Sequence, residues 1–212
     1  MPDPTTLSRW LLVAALAWPL VLLPSLWVRR LQPVARLLLP TAPALAVVLA
    51  LWGYPDVSVT SPWQPQHVVL GLDLTARAFL GLTSVLWTAC AWYARTSLEG
   101  DEHRTRFEVF FLLALAGNLA LILAQDVPAF YAGYVLMGFA SSGLVAHRGD
   151  AAARRAARLY VSLAVLGEVL LFVGFAYMVS GAGTTSLPAL QRAAPVPVAQ
   201  VLLLVGFGIK AG

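Results

Sequence analysis

The sequence predicts an all-α protein, a polytopic membrane helix bundle with about seven transmembrane helices. Composition is the first reason. Of the 212 residues, 59% are hydrophobic and 11% charged, whereas a soluble domain is nearer half apolar and a quarter charged, so the excess exceeds what one water-soluble core can hide. Patterning is the second: the apolar residues fall into blocks at roughly 8–28, 34–53, 70–94, 107–125, 127–147, 159–180 and 197 onward. Seven spans of ~20 residues use ~140 positions and leave the rest for loops and ends. The third is the arginine distribution, which alternates from loop to loop as membrane topology requires.

The first block, 8–28, is too long for a cleaved signal peptide and is followed by no small-x-small cleavage site, so it is expected to remain as a helix. Pro19 and Pro24 within it, and Pro40 and Pro43 in the second, predict kinks, which membrane helices tolerate when neighbours satisfy the freed carbonyls. The loop 54–69, rich in proline and β-branched residues, reads as a short hairpin cap or a plain connector. Asp73 and Arg77 open the third block at i,i+4 spacing, which predicts a structural ion pair. Between the fifth and sixth blocks, 150–158 reads as a short basic helix capped by Asp150. The chain stops at Gly212 inside an apolar block with no cap or polar flank, which is expected of one piece of a longer membrane protein.

With the N-terminus outside, Arg29, Arg30, Arg36, Arg95, Arg104, Arg106, Arg148, Arg154, Arg155 and Arg158 fall on the cytoplasmic side and Arg9, Arg77 and Arg192 outside. That asymmetry is the positive-inside pattern of a multi-pass protein of a bacterial inner (plasma) membrane. The net charge of +4 therefore reflects topology, and no clustered basic face with interleaved aromatics points to a nucleic-acid partner. A lone cysteine, Cys90, excludes an internal disulfide and any cysteine-based cluster. No cofactor or metal is expected in this chain.

Glu168 and Lys210, the latter the chain's one lysine, lie well inside apolar blocks. A charge at a membrane helix centre costs ~2.5 to 3.5 kcal/mol, so something must offset it. The plain reading is a glutamate–lysine staple between two helices. A proton relay is the functional alternative and is preferred, because intramembrane ionisable groups mark ion paths. Glu168 lies about nine residues into its block, ~14 Å deep, and Lys210 approaches similar depth from the other side. His147, at the cytoplasmic end of the fifth block, is a candidate for proton entry or a solvated interfacial histidine. The segment GFGIKAG lacks the spacing of a phosphate loop, so Gly206 and Gly208 are expected to serve helix packing.

Three stretches, GNLALILAQDVPAFYAGYVLMGFASSGLVAH (117–147), AARLYVSLAVLGEVLLFVGF (156–175) and LLLVGFGIKAG (202–212), carry a family likeness in their order and spacing. From Gly117 onward the sequence resembles the antiporter-like subunits of respiratory complex I (NADH:quinone oxidoreductase) and their relatives in membrane hydrogenases and multisubunit cation/proton antiporters. Before it the match is weaker. By that resemblance Lys210 corresponds to the family's seventh-helix lysine. The fifth-helix pattern F-x-x-F-W-E-x-M-x-L-x-S falls on Phe130, Gly133, Tyr134, Val135, Met137, Phe139 and Ser141, so valine stands where the family has the lysine's glutamate partner. Glu168, one helix later, is the candidate substitute.

What the resemblance implies is the N-terminal part of a longer antiporter-like fold, with 1–106 holding helices 1–3 and 107–212 starting the translocating module, truncated within helix 7. A discontinuous seventh helix, an inverted repeat and further relay residues would lie beyond residue 212. The implied function is translocation of protons or monovalent cations, with other membrane subunits and the lipid bilayer as partners. A subunit of an inorganic-carbon accumulation or sodium/proton antiporter complex is the nearest alternative, and a non-transporting membrane scaffold is the alternative from another class.

Overall fold

A chain in lipid has no water to satisfy its peptide groups, so each spanning segment closes its own hydrogen bonds as a helix. The computed structural model describes residues 4–54, 56–60 and 68–211, and these follow that rule. The helices are α1 (Pro4–Trp27), α2 (Gln32–Leu38), α3 (Ala44–Trp52), α4 (Leu74–Ser97), α5 (Arg104–Leu123), α6 (Val127–Val145), α7 (Ala151–Ala182), α8 (Leu187–Arg192) and α9 (Pro197–Ala211). Six segments are long and apolar enough to cross a membrane: Thr5–Trp27, Gln32–Trp52, Leu74–Ser97, Arg104–Leu123, Val127–Val145 and Ala151–Ala182. The seventh apolar block is the shorter α9, of 15 residues. The described residues therefore form a multi-pass membrane helix bundle.

Proline acts differently in the first two segments. Pro19 and Pro24 sit inside α1, which remains one helix. Pro40 and Pro43 split the second segment into α2, a 3₁₀ turn at Leu39–Thr41, and α3, because a proline has no N–H to give and crowds the preceding turn. The basic stretch 150–158 is not a separate helix. Asp150 does cap it, accepting from the Ala153 N–H at 2.6 Å, but the helix runs unbroken to Ala182. No glycine or proline interrupts 151–166, so nothing ends the helix before the membrane block begins.

The loop after α3 forms a hairpin of β1 (Val57–Thr60) and β2 (Val69–Leu72), antiparallel with Val57 opposite Leu72. The turn of the expected cap, 61–67, lies outside the described residues, and β2 runs past the expected loop boundary at residue 69. This hairpin ties one end of the bundle together. Asp126, 3% exposed, caps α6 through the Ala129 N–H at 2.8 Å and accepts the Val69 N–H at 2.7 Å. The Gln125 N–H donates to the Val69 carbonyl, and the Leu187 N–H to that of Gln125, each at 2.9 Å.

Asp73 and Arg77 do not form the expected ion pair among the described residues. Asp73 caps α4 by accepting the Ala76 N–H at 2.7 Å, and its other oxygen accepts from Gln125 at 3.2 Å. Arg77 turns the other way and donates to the carbonyls of Ala50, Leu51 and Gly53 at 2.6, 2.9 and 3.0 Å. The carbonyls closing a helix have no partner within it, and a guanidinium at that end satisfies several at once while complementing the helix dipole. Three carbonyls outweigh one exposed i,i+4 pair worth a few tenths of a kcal/mol (~0.3).

The opposite end holds Arg36 and Arg104. Glu108, 1% exposed, pairs with Arg36 Nε at 3.2 Å and Arg104 Nε at 2.8 Å, joining α2 to α5. Its burial is possible because both oxygens are taken by guanidinium donors. Between the two ends, the buried leucines of α1, α3, α4 and α5 form the larger apolar cluster, and Tyr134, Leu171 and Phe175 centre a smaller one among α6, α7 and α9.

Candidate functional site

Helix–helix contact in lipid depends on close backbone approach, which small residues allow. Gly167 and Gly206 supply it between α7 and α9: a Cβ on Gly206 would lie 2.8 Å from Leu171 Cγ and 3.1 Å from the Gly167 carbonyl oxygen. Gly208, also expected to pack, has nothing near it. With α9 drawn against α7, Glu168 and Lys210 come together. Glu168 lies fourteen residues before the end of α7 and Lys210 thirteen after the start of α9, so both stand ~20 Å from the hairpin end.

Their charged ends meet over Gly138 of α6. A Cβ at that glycine would lie 2.7 Å from Glu168 Oε1 and 2.9 Å from Lys210 Nζ. Glu168 is 6% exposed, and both Oε1 and Nζ are buried without a hydrogen-bond partner among the described residues. The two groups face each other over Gly138 without a direct ion pair.

Two aromatic rings complete the surroundings of the lysine. Its Nζ stands 4.9 Å from the ring centre of Tyr134 on α6 and 5.6 Å from that of Tyr160 on α7. Tyr134 is 3% exposed and stacks on Phe130 with centroids 5.8 Å apart. Tyr131 donates its hydroxyl to the Glu168 backbone carbonyl at 3.3 Å, so the stripe Tyr131, Val135 and Gly138, at i, i+4 and i+7, faces α7. By helical spacing Val135 lies on the same face of α6 as Gly138, over which the Glu168 carboxylate sits.

His147 is elsewhere. Its Nε2 lies 3.0 Å from Asp101 Oδ2, and its ring packs on Phe107 and His103 at 5.3 and 6.5 Å between centroids. It sits nine residues beyond Gly138 on the α6 side, ~13 Å along the helix. Asp101 holds the loop between α4 and α5: the His103 backbone N–H at 2.6 Å and the His147 ring keep its carboxyl below the usual aspartate range. Asp73 and Arg77 belong to the hairpin end and take no part in the Glu168–Lys210 site.

Reading single residues misses Tyr134, Tyr160 and Gly138 as members of the site and Glu108 as a buried charge. Spacing offers a signal for two of them, since Tyr134 and Gly138 lie at i,i+4 on one helix. Glu108 is the second residue of its apolar block, a position that marks a charge entering the membrane region.

Residues 124–212, which contain Tyr134, Gly138, Tyr160, Glu168 and Lys210, match the family described as NADH:quinone oxidoreductase/Mrp antiporter, transmembrane. This segment resembles that family over 89 of the 212 residues. A Na(+)/H(+) antiporter subunit of Alkalihalophilus pseudofirmus is 28% identical over 158 residues, covering 71% of this chain and 32% of that protein. Among solved structures, the membrane-bound sulfane sulfur reductase, an archaeal respiratory membrane complex, has a chain that superposes with a TM-score of 0.78 at 20% identity, covering 92% of this chain and 33% of its own. The Mrp complex of a Dietzia species gives 0.81 at 21% identity, covering 96% and 23%. The chain thus spans about a third of the length of that antiporter subunit. The fold shared with these two solved chains extends over nearly all of this chain, including the N-terminal helices.

Proposed function

We propose that the chain is an ion-translocating, antiporter-like subunit of a multisubunit membrane complex and that Glu168 and Lys210 form its charge relay. One observation carries this reading: a buried carboxylate and a buried amine converge over Gly138 with no hydrogen-bond partner among the described residues to fix either one. A structural staple closes its ion pair, because an unmade contact forfeits the gain that offsets desolvation. A relay leaves the pair open, so that the proton and the charge can be redistributed when a neighbouring charge moves. Glu168 then does from α7 what a carboxylate at Val135 would do from α6.

The proton is carried by side chains, and the reading requires no cofactor in this chain. Other membrane subunits supply the driving force, and lipid surrounds the exposed helix faces. Likeness to a sodium/proton antiporter subunit favours cation/proton exchange over a proton-pumping part in a quinone oxidoreductase. The arginine-rich end faces the cytoplasm of a bacterial inner membrane in this reading, with the N-terminus outside.

The test is ion movement by the assembled complex in liposomes. Glu168→Gln and Lys210→Ala are each expected to lower it at least about tenfold while assembly persists, since losing one buried partner strands the other. Val135→Glu combined with Glu168→Gln should recover part of the loss. Full translocation by Glu168→Gln alone would leave the pair a staple and end the reading. Sodium dependence of the proton flux separates antiport from electron-transfer-driven pumping.

A further inference from the structure

An ammonium in a membrane interior needs compensation, and Lys210 Nζ receives none from hydrogen bonds among the described residues. The ring faces do offer it. An aromatic face carries the negative part of the ring quadrupole and attracts a cation within ~6 Å of its centre, most strongly where water is excluded. Tyr134 and Tyr160 each meet that distance, at 4.9 and 5.6 Å, from two different helices. The absence of a side chain on Gly138 lets Nζ lie close to α6 between the rings and Glu168.

We propose that Tyr134 and Tyr160 are positioning residues that form an aromatic seat for the Lys210 ammonium and compete with Glu168 for it. This rests on the relay reading above and names what holds its lysine. The four-carbon lysine stem is flexible, so a small swing moves the ammonium from the rings to the carboxylate. On the rings the ion pair stays open; against Oε1 it closes. The ring faces attract the ammonium and not the neutral amine, so the seat holds the lysine only in its protonated form.

Lys210 can be followed directly by an isotope label assigned through its own substitution. In the assembled complex labelled with 15N-lysine, the signal lost in Lys210→Arg is that of Nζ. Ring currents should displace its proton resonance upfield in the parent, Tyr134→Phe and Tyr160→Phe, and the displacement should shrink in Tyr134→Leu and Tyr160→Leu. Ion movement should stay within about twofold in the phenylalanine variants and fall about tenfold in the leucine ones. Rescue by phenylalanine is the outcome that a hydroxyl-dependent role does not give. An unchanged resonance in both leucine variants overturns the seat, as does equal loss in phenylalanine and leucine variants. Full translocation by Lys210→Ala would instead overturn the relay, with the resonance still reporting the position of the ammonium.

Discussion

Asp101 is a small exposed residue with a large share in the order of the arginine-rich end. Its two oxygens take the His103 N–H at 2.6 Å and the His147 ring at 3.0 Å, linking the α4–α5 loop to the end of α6. Both partners favour the carboxylate, so its pKa in the folded chain lies below its unfolded value. The sign follows from linkage: the contribution is fully present above the ordinary aspartate value and is lost as pH falls through the lower, folded one. Hydrogen exchange of the amides at 98–104 should therefore stay slow from neutral pH down to about 4 and rise, relative to the intrinsic rate, only below it. Asp101→Asn should show the faster exchange at neutral pH. Equal protection in the two at pH 7 would place the order of this loop elsewhere.

At the scale of helices, close approach is set by which glycines have a neighbour. A Cβ on Gly133 would meet the Leu121 backbone nitrogen at 2.6 Å and the Gly117 carbonyl oxygen at 2.9 Å, so α5 and α6 touch backbone to backbone. Backbone cannot rotate aside as a side chain can, and overpacking of this kind costs ~1 to 3 kcal/mol. Gly133→Ala should lower unfolding stability in detergent by about that amount, whereas Gly208→Ala, with open space around it, should change it by less than about 0.5 kcal/mol. Equal effects from the two would show that backbone proximity does not govern this contact. Arg77 makes a related point about helix ends, because its partners are decided by the unfilled carbonyls of α3 and not by the nearest carboxylate in sequence.

The molecule as a whole has two chemically distinct ends. One carries the hairpin, Asp73, Asp126 and the Gln125 contacts; the other carries Glu108 with Arg36 and Arg104, and Asp101 with His147. The arginine-rich end is predicted to face the cytoplasm. With the native thiol removed by Cys90→Ser, Ser97→Cys and Ala152→Cys should resist a membrane-impermeant thiol reagent in intact cells and react in inverted vesicles. Labelling in intact cells would reverse the orientation of every helix.

Membrane segments and their approximate ends can be read along the chain. Each depends on local hydropathy and on the ~1.5 Å rise per residue of a helix. The likeness to antiporter-like subunits is also visible from Gly117 onward, because the spacing between its charged and small residues is a one-dimensional pattern. Partners across helices are another matter. Asp73 and Arg77 have the i,i+4 spacing of a pair, and only the position of α3's end and of Gln125 separates them. The continuity of α7 through 150–158 depends on the absence of a break, a weaker signal than a proline or glycine. Tyr134, Tyr160 and Gly138 become neighbours of Lys210 because α6, α7 and α9 pack together through small residues. Hydropathy determines how deep a side chain lies, but the rotation of each helix about its axis, set by packing against its neighbours, decides what that side chain faces.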